Sequence, residues 1–384
     1  MKILFHSWEY GTGGGGIAQY MLQMAEGLGN RGHQVFVVAG RREGYPEIEE
    51  TAYGRVYRIY DRADVRSPSV TDRVLELAAR HRVDVIEGAD HWGECAGIIN
   101  RSSRPPVLIK YHGCQIIDAL TSAEVVYSWQ RLTVGIALIR IWSQRRAERI
   151  CVERADLAQA PSQKIIDDYN GQGTKLPGRL GIVPNMLARC PAPASGVHEE
   201  SCRPTLLYAG RLELRKGIQY LPAILCKVRE KFPDVVLELA GNDSYARGLG
   251  STREWLQKQF KGMEKNVRFL GGLDGAALDA AYRRAAMLVF PTKWDNFPMV
   301  VLESMAYSKP IVTTRKGGMP EMLKGTGAII ADADSDDFSR GICDFLADAD
   351  LRSRVGMACR ERVMSHYMTA QVVEQYIQFL EKNL

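Results

Sequence analysis

Apolar residues in this chain fall into two patterns that alternate from end to end. Short unbroken runs, such as Ile3-Leu4-Phe5 and Val35-Phe36-Val37-Val38-Ala39, predict buried strands. Between them, apolar positions return every third or fourth residue, as in Ile17, Ala18, Met21, Met24, Ala25 and Leu28, which predicts amphipathic helices. Further strand-like runs stand at 55–59, 83–87, 107–111 and 157–160. Strand and helix in strict alternation predict a doubly wound, largely parallel sheet.

The pattern breaks once. From Leu187 to Arg203 the chain becomes polar and proline-containing, with Pro191-Ala192-Pro193-Ala194-Ser195-Gly196 and Glu199-Glu200. It then restarts with runs at 205–209, 235–239, 267–270, 287–290 and 311–313, and turns helical after Ala331. A chain of 384 residues is long for one core. We therefore expect two α/β domains, 1–186 and 204–362, joined by a linker at 187–203.

Composition narrows the class. With 46% hydrophobic and 25% charged residues the chain reads as globular, and a net charge of +5 is too small to argue for nucleic acid. No apolar stretch is long enough to cross a bilayer, and Met1-Lys2-Ile3-Leu4 does not resemble a signal peptide. Eight scattered cysteines without a C-x2-C spacing fit reduced thiols and a cytoplasmic location. The stretch 131–150 mixes aliphatics and Trp142 with five arginines. It reads as a helix packing its apolar side on the sheet; contact with an anionic inner membrane face is the alternative.

In parallel sheets ligands gather at the carboxyl ends of strands, so the chemistry is sought there. After the first strand, Gly11-Thr12-Gly13-Gly14-Gly15-Gly16 lets backbone approach an anion closely, although it matches neither a dinucleotide fingerprint nor a Walker A loop. His112 follows the 107–111 strand, and Ser162 and Asn185 follow later ones. In the second half, Gly210-Arg211-Leu212 and Lys216-Gly217 set a guanidinium and an ammonium at a strand end, suited to a pyrophosphate. Phe290-Pro291-Thr292-Lys293-Trp294-Asp295-Asn296-Phe297-Pro298 then leads into a helix carrying Glu303, with seven residues between the two acids.

This last segment resembles the acid-x7-acid signature of the retaining glycosyltransferases of family 4, with Asp295 where Glu is usual and Ser308-Lys309-Pro310 where the triplet usually holds Gly. Met186 likewise replaces the Gly of the family's Pro-Asn-Gly. The resemblance implies a GT-B fold: two Rossmann-like domains facing a cleft, with a last helix, 363–384, packing back on the first domain. It implies a donor site of Gly15, Gly16, Arg211, Lys216, Leu270, Gly271, Asp295, Asn296, Phe297, Pro298 and Glu303, with Glu303 on the ribose. It further implies catalytic roles for His112, Arg211, Lys216 and Asp295, and acceptor contacts at Gly15, His112, Ser162 and Asn185. The expected reaction moves a sugar from a nucleoside diphosphate sugar to a carbohydrate, lipid-linked or small-molecule hydroxyl, with retention and without a metal. A GT-B sugar-nucleotide epimerase and a non-catalytic sugar-nucleotide-binding protein are the alternatives.

Overall fold

A computed structural model describes residues 1–11, 15–113, 142–192, 203–246, 248–334 and 336–384. The chain divides into two compact units, one formed by Met1–Ala188 with Thr369–Leu384 and the other by Arg189–Met368.

The first unit runs β1 (Lys2–Ser7), α1 (Gly16–Gly29), β2 (Gln34–Gly40), β3 (Ile48–Thr51), β4 (Gly54–Tyr60), α2 (Pro68–His81), β5 (Val85–Ala89), α3 (Ala96–Ile99), β6 (Val107–Lys110), α4 (Trp142–Arg154), β7 (Leu157–Ala160), α5 (Gln163–Gly171) and β8 (Leu180–Ile182). Its sheet has the order β3-β4-β2-β1-β5-β6-β7-β8. All neighbours are parallel except β3, which pairs antiparallel with β4 at the edge. The chain order reverses between β1 and β5, so the loops leaving these two strands diverge and open a crevice at their carboxyl ends.

The second unit runs β9 (Thr205–Ala209), α6 (Leu221–Lys231), β10 (Val236–Ala240), β11 (Tyr245–Ala246), β12 (Gly250–Ser251), α7 (Thr252–Gln259), β13 (Val267–Gly271), α8 (Gly275–Arg284), β14 (Met287–Phe290), α9 (Met299–Ala306), β15 (Ile311–Thr313), α10 (Met319–Met322), β16 (Ile329–Ile330), α11 (Asp336–Ala347) and α12 (Ala349–His366). Its six-stranded sheet, β13-β10-β9-β14-β15-β16, is parallel throughout and reverses between β9 and β14. Both units are therefore the doubly wound sheets that the alternating pattern predicts. The hairpin formed by β3 and β4 was not foreseen.

Every residue of β5, β9 and β10 is buried, as parallel strands covered on both faces require. The helix expected over 363–384 is interrupted. α12 ends at His366, and α13 (Thr369–Asn383) begins where the Thr369 amide and hydroxyl both turn to the Leu187 carbonyl, at 3.1 and 3.3 Å. α13 packs on α1 in the first unit's core, through Val372, Val373, Tyr376, Ile377 and Leu380. The expectations for residues 12–14, for 193–202 of the linker, and for the arginine-rich stretch as far as 141 lie outside the described residues.

Contact between α1 and α13 depends on Gly27, where a Cβ would stand 2.6 Å from Val373 Cγ2 and 2.7 Å from Thr369 Cγ2. Gly27→Leu is predicted to push α13 from its seat and to cost roughly 1–3 kcal/mol, the range of overpacked cores. A fall in the urea unfolding midpoint checks it, against a nearly unchanged midpoint for Gly178→Ala, an open position without a left-handed φ.

Candidate active site

In the second unit three loops meet at the carboxyl ends of β9, β14 and β15. The β9 loop turns at Gly217, whose φ of 78° lies in the left-handed region, and a Cβ there would stand 1.7 Å from the Pro291 carbonyl oxygen. A glycine is required both by the turn and by the approach of the β14 loop. The same two loops are tied by backbone: Lys293 N donates to Arg215 O at 3.0 Å, and Thr292 Oγ1 to the same oxygen at 3.3 Å. On the other side Gly317, at φ 66°, abuts Asp295, where a Cβ would stand 1.6 Å from the carbonyl oxygen. The Gly318 amide donates to the carbonyls of Asp295 and Asn296.

This knitting brings Lys216 and Asp295, 79 positions apart, into a direct ion pair through Nζ and Oδ2. Arg211 stands at the end of β9, largely exposed, with its guanidinium 2.8 Å from Glu213 Oε1; Glu213 also faces Arg215 at 3.4 Å. Asn296, Phe297 and Pro298 are buried and lead into α9, where Pro298 occupies the N-cap position. The first-turn amides of a helix have no partner inside it, so α9 offers donors beside Asp295.

One turn into α9, the Glu303 carboxylate accepts a hydrogen bond from the Tyr282 hydroxyl at 2.8 Å. Burial raises the pKa of Glu303 and the Tyr282 bond opposes the rise. Tyr282 is itself stacked on Tyr307, with ring centroids 4.7 Å apart, and the Tyr307 hydroxyl donates to Asp279 at 2.6 Å. Glu303 is thus aimed by Tyr282 of α8, which stacks on Tyr307 at the end of α9, itself bonded to Asp279 of α8. Nothing at sequence level marks Tyr282, because its spacing is that of an ordinary core residue of the helix. Leu270 and Gly271 stand apart from this cluster, at the end of β13 on the sheet's edge, two strands from β9.

The first unit holds the remaining candidates. His112 follows β6; its amide donates to Asp90 Oδ1 at 2.8 Å and its ring meets Tyr20 edge-on at 5.1 Å. Its Nε2 is buried and has no partner among the described residues. Burial, then the nearby Lys110 and His91, hold the imidazole pKa well below its usual value, so the ring is neutral at physiological pH. Asp90, missed in the sequence, organises this corner: it also accepts from the Gly113 amide at 3.3 Å and the Tyr169 hydroxyl at 2.5 Å. Ser162 occupies the N-cap position of α5, but among the described residues its hydroxyl caps nothing and is buried without a partner. Asn185 is buried after β8, Gly15 precedes α1 within reach of the Glu9 carboxylate, and Gly16 opens the helix with free space around it.

Two doubly wound α/β units, each with polar loops at its point of strand reversal, define the GT-B class. Residues 14–187 match the family model for Glycosyltransferase Family 4, and residues 197–362 match that for Glycosyl transferases group 1. Between them the two leave only 188–196 unmatched inside that span. The chain belongs to this glycosyltransferase family. It is 25% identical to an uncharacterised glycosyltransferase of Methanocaldococcus jannaschii, over 98% of this chain and 97% of that one. Among solved structures it resembles a sucrose-phosphate synthase from Thermosynechococcus elongatus, with a TM-score of 0.81, 20% identity and coverage of 99% and 98%. It also resembles Anabaena HepE in complex with UDP-glucose, with a TM-score of 0.75, 17% identity and full coverage of both chains.

Two predictions arise from this geometry. Gly317→Ala should displace the Asp295 backbone and weaken ligand binding at the Lys216–Asp295 pair at least tenfold, read by calorimetry. The second concerns Asp90, whose carboxyl is pushed up to about 6, mainly by burial and against the bond from Tyr169. The folded chain keeps this proton where the unfolded chain has released it, so the group's contribution to stability falls as pH rises from about 4 to about 6. Asp90→Asn removes that titration. Its urea midpoint relative to wild type should rise across this window, by up to about 3 kcal/mol in stability for a shift of roughly two units.

Proposed function

We propose that this glycosyltransferase moves a sugar from a nucleoside diphosphate sugar to an acceptor hydroxyl with retention of anomeric configuration, in polysaccharide, glycolipid or natural-product biosynthesis. The observation that carries the reading is the Lys216–Asp295 pair with Arg211 at the reversal between β9 and β14, one turn of helix from a carboxylate held by Tyr282. Likeness to a protein crystallised with UDP-glucose supports a nucleotide-sugar donor.

In this reading the diphosphate lies against Lys216, Arg211 and the opening amides of α9. The cations stabilise the charge that builds on the leaving phosphate as the glycosidic bond breaks. Lys216 has a second task, since its ion pair orients Asp295 towards hydroxyls of the transferred sugar. Glu303 takes the ribose hydroxyls, which it can do only as an acceptor, and the bond from Tyr282 leaves its second oxygen for that purpose. His112, neutral and with a buried Nε2, offers a hydrogen-bonding group to the sugar. With these cations meeting the charge on the leaving group, the proposed chemistry calls for no metal ion. The acceptor attacks from the face that the leaving group vacates, and the departing phosphate oxygen takes its proton.

Calorimetric titration with UDP, GDP and ADP tests the donor site. One nucleotide should bind the wild type. Lys216→Ala and Glu303→Ala should each weaken it at least tenfold, since each loses a charge-assisted contact worth about 1.5–3 kcal/mol. Absence of binding by all three nucleotides overturns the proposal, and a product of opposite anomeric configuration overturns the same-face mechanism.

A further inference from the structure

The first unit has its own point of strand reversal, between β1 and β5, and the side chains gathered there are absent from the site described above. Trp8 leaves β1, Trp92 leaves β5, and Arg62 leaves β4. The guanidinium carbon of Arg62 lies over both indoles, 4.4 Å from the Trp8 ring centroid and 4.3 Å from that of Trp92. Three different strand ends thus converge on one cation.

The two tryptophans are held in place from behind. The Trp8 amide donates to Glu94 Oε2 at 3.1 Å, and Glu94 is buried. The Trp92 amide donates to Glu148 Oε1 at 3.1 Å, and Gln144 donates to the same oxygen at 3.2 Å. Trp92 has a φ of 65°, a left-handed conformation that a bulky side chain adopts at a cost of about 1–2 kcal/mol. The neighbouring Gly93, at φ 64°, lets this turn press against Ala147 of α4, where a Cβ would stand 2.5 Å away. A strained, doubly anchored tryptophan at a switch point is a conformation that the surroundings impose.

The arginine between the rings differs from two arginines nearby that are committed to carboxylates. Arg58 faces Glu49 at 3.3 Å, and Arg41 faces Glu47 and Asp61 at 3.7 and 3.8 Å. Arg62 has no ion pair or hydrogen bond among the described residues, and it is exposed. A guanidinium held over indole rings keeps its in-plane N–H donors, a fork whose geometry matches two oxygens of an oxyanion.

We propose that Arg62, clipped by Trp8 and Trp92, binds a phosphate group of the acceptor, so that the acceptor is a phosphorylated sugar-like molecule or a phospholipid headgroup. The assignment rests on the glycosyl-transfer reading above for the word acceptor, and on this geometry alone for the phosphate. Trp8 and Trp92 act as positioning residues, and Arg62 makes the contact. The Glu9 carboxylate, within reach of Gly15, stands on the same β1 loop and disfavours a second anion nearer the helix start.

The test uses D-glucose 6-phosphate, titrated calorimetrically, and phosphatidylcholine vesicles with and without phosphatidylglycerol, followed by sedimentation. Each probe is applied to the wild type and to Lys216→Ala, Arg62→Ala and Arg62→Lys. Lys216→Ala removes the donor site's own claim on a phosphate. Binding that persists in Lys216→Ala, falls at least tenfold in Arg62→Ala and is intermediate in Arg62→Lys supports the proposal. The soluble probe then identifies a phosphorylated sugar-like acceptor; response to anionic vesicles alone identifies a lipid headgroup. Binding unchanged by Arg62→Ala overturns the proposal, as does failure of the wild type to bind either probe. Nucleotide titration of the same proteins separates the two readings. Arg62→Ala should bind nucleotide as the wild type does, and a wild type that binds phosphate at Arg62 but no nucleotide would sink the donor site while leaving this one standing.

Discussion

Burial of the strands on both faces is the constraint from which the rest of this molecule follows. A parallel strand with helices above and below it is cut off from water along its length: β5, β9 and β10 are buried at every position, and the carboxylates they carry, Glu87 and Glu238, are taken up by Tyr376 and by Arg268 and Arg284. Functional groups are therefore confined to the strand ends. Of these, only the ends flanking a reversal of strand order have loops that diverge far enough to admit a ligand. Lys216 and Asp295 leave the two strands flanking one reversal, and Trp8 and Trp92 the two flanking the other.

Confinement has an electrostatic consequence. Charged groups that finish a buried strand are themselves half or wholly removed from water, so their protonation is set by burial first and by partners second. Asp90 and Glu94 are pushed upward to about 6 and about 8, and Lys110, at the end of β6, is brought down to about 7. Such groups are costly unless hydrogen-bonded. Each is bonded: Asp90 by two amides and Tyr169, Glu94 by the Trp8 amide, Lys110 to the Val183 carbonyl. The polar ends of the first unit form a network that fixes the shape of the loops.

Much of this was legible in the sequence. Strand identity followed from unbroken apolar runs, and a period of three to four residues located α1. The acid-x7-acid spacing placed Asp295 in a loop and Glu303 on a helix. What escaped has a common cause. Asp90, Glu94, Tyr169 and Tyr282 act through partners 21 to 86 positions away, and no local pattern distinguishes them from solvated or core residues. The edge hairpin of β3 and β4 escaped because β3, with burial alternating between half and none, lacks the apolar run that betrays an inner strand. The break between α12 and α13 escaped because helical periodicity continues through it; a carbonyl 182 positions earlier, that of Leu187, stops the helix.

The departures from the family's pattern can be weighed on the same physical grounds. Ser308 stands where the resemblance led us to expect glycine, and it adopts a φ of 56°, a conformation that glycine reaches without strain. The position is nevertheless held from outside: a Cβ on Gly356 of α12 would stand 2.0 Å from the Ser308 carbonyl oxygen, and Lys309 Nζ donates to the Arg283 carbonyl at 2.7 Å. Packing thus maintains a turn that the local residue disfavours. The shorter Asp295 is a different case, because no backbone strain accompanies it and its carboxylate is drawn to Lys216. Losing one methylene moves the carboxylate back towards the loop and towards the cation. The likeness of sequence therefore carries the shape of the loop more securely than the reach of its acid, and the reach is what a transferred sugar would read.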